Sequence, residues 1–241
     1  MHLVRFAHPI SGLAMVGKMI ETLIQSGDET FTAGDVRLLA PCVPTKIICV
    51  GRNYADHAKE LGNKVPEKPL LFLKPPSAVI GPEESIILPD SEQVHYEAEL
   101  AVVIGKRCKN VIASDAGDVI LGYTCMNDVS DRVAQQWETN WVRAKAFDTS
   151  APLGPAILPH AEASQPFHVT LRLNGEIRQE GSTSDLYFSI PVLIETISAI
   201  MTLEPGDVIA TGTPAGVGDL HSGDIVEVSI DGIGTLRNRV Q

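Results

Sequence analysis

From Leu70 onward the chain is cut into short apolar runs, and this punctuation constrains the fold more than any other feature. The runs are "LLFLK", "SIILP", "EAELAVVIG", "YTCMNDVS", "HVTLRLNG", "DVIATG" and "DIVEVSI", and "KIICVG", ended by Gly51, precedes them. They are rich in aliphatic and β-branched residues, too short for helices and bounded by turn residues, which predicts strands. Helical patterns are fewer: "NYADHAKELGN" stopped by Gly62, "SDAGDVILG", "DRVAQQWETNW" and "SIPVLIETISAIM", the last with Ser189 as N-cap and Pro191 in its first turn. Strand and helix do not alternate regularly, so a doubly wound parallel sheet is not expected. The pattern predicts a β-rich α+β chain, a mixed β-roll or sandwich. The final pair, "DIVEVSI-DG-IGTLRNRV", reads as a hairpin with an Asp231-Gly232 primed turn.

Residues 1–45 read as a smaller unit, with a strand-like opening, a helix over Ala14–Gln25 and a short strand near Val36–Leu39. "APCVPTKI" follows as a stiff linker, because its closely spaced prolines forbid a regular element. Residues 46–241 form the second, larger unit. No apolar run approaches the ~18 residues that span a bilayer, and the opening, broken by His8 and Pro9, lacks the layout of a signal peptide. A formal charge of −11 argues against a nucleic-acid footprint. It also repels anions at long range, so an anionic substrate needs local cations. Cys42, Cys49, Cys108 and Cys125 have no zinc-like spacing and read as reduced thiols, which fits a cytoplasmic enzyme.

The chemistry gathers at "EQVHYEAELAVVIGKR". Glu97 and Glu99 stand at i and i+2 at the head of a buried strand, hence on one face, ~6–7 Å apart. Like charges near a core repel and resist desolvation. Three escapes exist: one acid protonates, basic side chains neutralise the pair, or a metal binds between them. Asp128, at the end of "GYTCMNDVS", offers a third oxygen ligand, and three carboxylates suit a hard divalent ion such as Mg²⁺ or Mn²⁺. The plain alternative is a solvated strand end with ordinary surface acids. His57 and Glu60 are neighbours at i and i+3 on one helix face, where a carboxylate would fix the imidazole tautomer and leave the other nitrogen as a base. The plain alternative there is a polar surface. Arg52, Lys74 and Lys145 are cations beside apolar or turn segments, each readable as merely solvated. "ATGTPAGVG" is a Gly-rich turn able to offer backbone N–H groups to an anion, though it lacks the Gly-Lys-Ser/Thr ending of a P-loop.

In this order, "CVGRNYADHAKE", "PLLFLKPPSAVIGP", "HYEAELAVVIGKR", "GYTCMNDVSDRVAQ", "RAKAFDTSAPLGP", "LNGEIRQEGSTSDLYFSIPVLI" and "LEPGDVIATGTPAGVG" resemble the fumarylacetoacetate hydrolase family. The resemblance runs from about residue 47 to 240. It implies a mixed β-roll, a Mg²⁺ or Mn²⁺ cofactor and a homodimer. It implies metal ligation by Glu97, Glu99 and Asp128, and water activation by His57 and Glu60 on a lid spanning residues 53–66. Lys145 matches a lysine that stabilises an oxyanion or enolate. Arg132 and Gln135 match residues lining the pocket, and Thr213 matches a threonine that holds the substrate carboxylate. Arg52, Asn53 and Lys74 are raised from surface to the neighbourhood of the substrate.

The short N-terminal unit separates this chain from the family's namesake, which has a much larger one. The expected substrate is a small anionic 2-oxo acid, with no nucleic acid or membrane as partner. The leading expectation is a metal-dependent hydrolase that cleaves a C–C bond in acylpyruvate-like β-diketo acids through an enolate. The alternative is an isomerase or decarboxylase of unsaturated 2-oxo-dicarboxylates, or an oxaloacetate tautomerase.

Overall fold

The computed structural model describes residues 1–241 apart from Leu61, Asn63 and Val65. Among the described residues the strands form one 12-stranded sheet, one 5-stranded sheet and a small 3-stranded sheet. The large sheet is organised about Ala98–Ile104, which pairs antiparallel with Ile120–Asn127 on one side and Val208–Ala210 on the other. Val208–Ala210 runs parallel to Ile47–Gly51, whose outer neighbour Leu70–Lys74 is antiparallel. On the opposite flank Ala151–Pro159 pairs with Ile120–Asn127 and, at Ile157, with Leu3 of His2–Ala7. The chain is thus a β-rich α+β fold with mixed sheets.

Every residue of Ala98–Ile104 is buried. Ala98, Leu100, Val102 and Ile104 share a core with Val169, Leu171, Val226, Val228 and Leu236 of the 5-stranded sheet. Ala101 and Val103 belong to a second core, with Ile47, Cys49, Met126, Leu153 and Val208. A strand with a core on each face has no polar side to present, so from Leu100 to Ile104 its sequence is a continuous apolar run. Each fully buried Leu, Ile or Val contributes about 1.5–3 kcal/mol. The period of two then fixes the acids: Glu97 and Glu99 fall on the Ala101–Val103 side, at the strand's entrance.

Helix Ile190–Ile200 seats Ile190, Leu193, Ile194 and Ile197 against the first core, the spacing of one helical face. Pro191 lies in the first turn, but the Ser189 side chain, expected to cap, accepts no backbone N–H. Among the described residues no helix is long and apolar enough to cross a membrane.

Residues 14–25 are not a helix. Ala14–Ile20 and Leu23–Ser26 are antiparallel strands with Ile20 opposite Leu23, joined through Glu21 at φ 53°. The apolar residues there serve strand alternation: Met15, Gly17 and Met19 turn inward while Val16, Lys18 and Ile20 face out. Gly17 is required, since a Cβ would lie 2.6 Å from Ile24 Cγ2 and 2.9 Å from the Gln25 carbonyl oxygen. "SDAGDVILG" also divides, into a 3-10 helix Ala113–Val119 and the strand from Ile120. Sheet pairing draws Gly122 so close to its neighbour that a Cβ would sit 2.2 Å from the Leu158 oxygen. In the last hairpin Ile230 pairs with Gly234, so the loop has a third residue, Ile233, whose burial at 3% exposure draws it into the core.

Candidate active site and metal centre

The Ala98–Asn127 pairing sets Glu97 beside Asp128, and the Asp128 N–H donates to the Glu97 carbonyl at 2.8 Å. One carboxylate oxygen from each of Glu97, Glu99 and Asp128 lies within 4.8 Å of the others, and all three residues are buried. Their partners are unequal. Glu97 accepts from Lys145 Nζ at 2.7 Å and from an Arg132 guanidinium nitrogen at 2.5 Å. Asp128 accepts from Lys145 Nζ at 2.8 Å and from Lys74 Nζ at 2.5 Å. Glu99 accepts only the Gly212 N–H, at 2.7 Å, among the described residues.

The titration of these groups follows their company. Burial alone would raise Glu97, but Lys145 and then Arg132 outweigh it and hold the carboxyl well below its ordinary value. Burial, followed by the charges of Asp128 and Glu97, pushes Glu99 well above it. Burial lowers Lys74, and Asp128 only partly offsets it. Lys145 is raised, because Asp128 and Glu97 overcome its burial. Neutralisation, one escape open to paired acids, thus serves Glu97 and Asp128, while at Glu99 burial and the neighbouring acids disfavour the charged form. A bound metal, the third escape, fits the same donor set: a hard dication would offset the charge on Glu99, and three carboxylate oxygens are the ligands Mg²⁺ or Mn²⁺ prefers.

A cavity of about 480 Å³ opens over the acids, lined among others by Arg52, His57, Arg132, Gln135, Lys145 and Thr213. Its apolar wall includes Phe72 and Trp141, whose rings meet edge-on at 5.4 Å, with Lys145 Nζ 5.0 Å from the Phe72 centroid. Arg52 follows the strand Ile47–Gly51 with φ 60°, a left-handed conformation uncommon outside glycine. Helix Ala55–Glu60 sets His57 Nδ1 3.2 Å from Glu60 Oε2, and Glu60 Oε1 accepts the Gly216 N–H at 3.0 Å. Of the expected lid, Leu61, Asn63 and Val65 lie outside the described residues. Arg132 also donates to Gln135 Oε1 at 2.8 Å, in the helix Arg132–Trp137.

Two residues expected near the substrate stand behind the cavity wall rather than in it. Asn53 is fully buried, donating to the Thr211 and Phe188 carbonyls and accepting the Phe188 N–H, so its amide is spent on backbone. Lys74 is not part of the cavity wall; its ammonium is held by Asp128 and by the Val129 carbonyl at 3.1 Å. It acts as a counterion to the acid cluster from behind.

Other residues were missed from the sequence. Asn127 Oδ1 accepts the Glu97 N–H at 2.9 Å, and a polar residue next to Asp128 in an apolar strand was the available signal. Gln179 has no such signal, because its partners Ala98 and Thr213 are remote in sequence. His95, also in the cavity wall, pairs through Nε2 with Asp219 at 3.1 Å, and burial, then Arg132, lowers its pKa.

The fumarylacetoacetate (FAA) hydrolase C-terminal family matches residues 46–241. The oxaloacetate tautomerase YisK of Bacillus subtilis is 44% identical over 229 residues, covering 89% of this chain and 76% of that protein. A 5-carboxymethyl-2-hydroxymuconate delta-isomerase from Mycobacterium smegmatis superposes with a TM-score of 0.92 at 45% identity, covering 100% of this chain and 98% of the other. A maleylpyruvate hydrolase from Sphingobium sp. SYK-6, in complex with manganese(II) and pyruvate, superposes with a TM-score of 0.85 at 33% identity, covering 100% and 98%.

Proposed function

The chain belongs to the fumarylacetoacetate hydrolase family, and from that premise we propose that it is a divalent-metal-dependent isomerase or tautomerase of small 2-oxo-dicarboxylates. The observation that carries this reading is the charge of the site. The three acids share the site with three cations, Lys74, Lys145 and Arg132, all of them paired with Glu97 or Asp128. A dication held by Glu97, Glu99 and Asp128 leaves a formal surplus of two positive charges, which suits a dianion. Such an ion supplies Lewis-acid polarisation of the 2-oxo carbonyl.

The remaining work falls to side chains. His57, with Nδ1 held by Glu60, carries a proton on Nε2 to and from the carbon beside the ketone. Lys145 offsets negative charge that develops on the carbonyl oxygen, the electrostatic role in which a fixed ammonium is most effective. Arg52 and Thr213 hold the head carboxylate from the cavity wall. Phe72 and Trp141 keep that side of the cavity apolar, which strengthens each of these interactions.

C–C hydrolysis, the leading expectation from sequence, yields to this reading. The tautomerase and isomerase relatives are 44% and 45% identical, against 36% for a fumarylacetoacetate hydrolase from Exiguobacterium antarcticum and 33% for the maleylpyruvate hydrolase. The same His–Glu pair serves either reaction, moving a proton on carbon in one and on water in the other. The test is a parallel assay with Mn²⁺ on enol-oxaloacetate and acetylpyruvate, with products resolved by NMR. Ketonisation of oxaloacetate with acetylpyruvate left intact is the expected result. Release of acetate and pyruvate at comparable turnover would restore the hydrolase. The homodimer is part of the same proposal, and sedimentation equilibrium tests it.

A further inference from the structure

We infer that Gln179 is a positioning residue: by donating to Thr213 Oγ1 it forces the Thr213 proton into the cavity, as a donor to an anionic oxygen of the substrate. Gln179 lies on the strand Glu176–Ser182 and is 1% exposed. Its Oε1 accepts the Ala98 N–H at 2.9 Å. Its Nε2 donates to Thr213 Oγ1 and to the Pro214 carbonyl, both at 2.8 Å. A backbone N–H only donates and a carbonyl only accepts, so the orientation of the amide is fixed from both ends. Both Nε2 protons are then committed, and Thr213 Oγ1 is an acceptor toward Gln179. No described residue takes the proton of the Thr213 hydroxyl, and Thr213 lines the cavity above the acids. The inference rests on the 2-oxo acid reading only for the class of ligand, a carboxylate.

The same amide joins the acids to the loop that surrounds them. Ala98 stands between Glu97 and Glu99, while the loop's Gly212 and Gly216 give their N–H groups to Glu99 and Glu60. Strand and loop touch closely on either side of Gln179. A Cβ on Gly181 would lie 2.7 Å from Pro214 Cβ, and one on Gly216 would lie 2.1 Å from the Arg178 oxygen. Thr213 is therefore held on a loop with little room to shift, and its donor direction is decided by one side chain.

Gln179→Glu reverses the polarity. A carboxylate accepts where the amide donated, so the Thr213 proton turns back toward residue 179 and the cavity loses its donor. The measurement is oxalate affinity of the Mn²⁺-loaded chain by titration calorimetry. Gln179→Glu and Thr213→Val should each weaken oxalate roughly tenfold, the worth of a hydrogen bond to a charged group. Thr213→Ser should bind as wild type, and the Gln179→Glu/Thr213→Val double variant should bind no more weakly than the weaker single. Gln179→Met, uncharged and similar in volume, should fall between wild type and Gln179→Glu, and it carries the test if a buried carboxylate unfolds the chain. Wild-type affinity in both Gln179 variants, losses that multiply in the double variant, or a wild type without oxalate affinity would each overturn the inference. Oxalate binding that depends on Gln179 in a protein inactive on every 2-oxo acid would contradict the proposed function and support the role of Gln179.

Discussion

Asp207 and Glu99 are both buried acids on the strand pair Ala98–Ile104 and Val208–Ala210, one near each end, and their surroundings differ. Asp207 is saturated. Its Oδ1 accepts from the Thr45 N–H and hydroxyl and the Lys46 N–H, while Oδ2 pairs with the Lys46 ammonium and accepts the Glu204 N–H. Burial opposes ionisation there, but the hydrogen bonds from Lys46 and Thr45 outweigh it and Asp207 is lowered. Among the described residues Glu99 has one backbone donor and two acids for neighbours, and it is raised. Burial alone thus does not mark a functional acid. A shortage of donors is what sets Glu99 apart, since an acid that its own fold does not satisfy is the one a cation would stabilise.

The largest effect that would break this contrast is expected at Glu99→Gln. With Mn²⁺ in excess, turnover of oxaloacetate should fall about 10³-fold, since a metal's worth in such sites is several kcal/mol. The melting temperature of the metal-free protein should stay near wild type, because an amide replaces a carboxyl already inclined to hold its proton. Lys74→Met should do the reverse of a surface lysine change, costing the metal-free protein about 3–5 kcal/mol in urea unfolding, as expected when one partner of a buried pair is removed. His57→Ala should lower turnover by roughly 10²-fold with Mn²⁺ affinity unchanged, as calorimetry would report.

The smallest effect belongs to the saturated acid. Asp207→Asn should cost about 1–3 kcal/mol near neutral pH and leave turnover alone. The folded pKa of Asp207 lies below its ordinary 3.8, so its stabilisation is complete above that value and is lost as pH falls through the folded pKa. The gap between wild type and Asp207→Asn in urea midpoints should be flat from about pH 5 upward and close below about pH 4.

What could be seen in the sequence follows from how local each signal is. The strand Ala98–Ile104 was legible because burial on both faces leaves Leu100–Ile104 without a polar residue. The acids stood out against that background, and the i, i+3 spacing of His57 and Glu60 is contained within one helix. Residues 14–25 misled because Met15, Met19 and Leu23, each four apart, mimic helical spacing, while the pairing of Met19 with Ile24 and His2 that makes these segments strands is not written in any one window. The role of Lys74 was ambiguous for a related reason. A cation beside an apolar run looks the same whether it meets a substrate or an acid, and its acid, Asp128, is 54 residues away. Asn53 and Gln179 spend their amides on backbone and hydroxyl partners that only the tertiary fold assembles.

The central claim is that Glu97, Glu99 and Asp128 form a divalent-metal site while Asp207, equally buried, does not. The most direct test is a Mn²⁺ titration followed by electron paramagnetic resonance on wild type, Asp128→Ala and Asp207→Asn side by side. The account predicts one tight Mn²⁺ per chain in wild type and Asp207→Asn, and an affinity at least about 100-fold weaker in Asp128→Ala, since even indirect disturbance of a metal ligand costs 10–100-fold. Equal Mn²⁺ affinity in wild type and Asp128→Ala would contradict it.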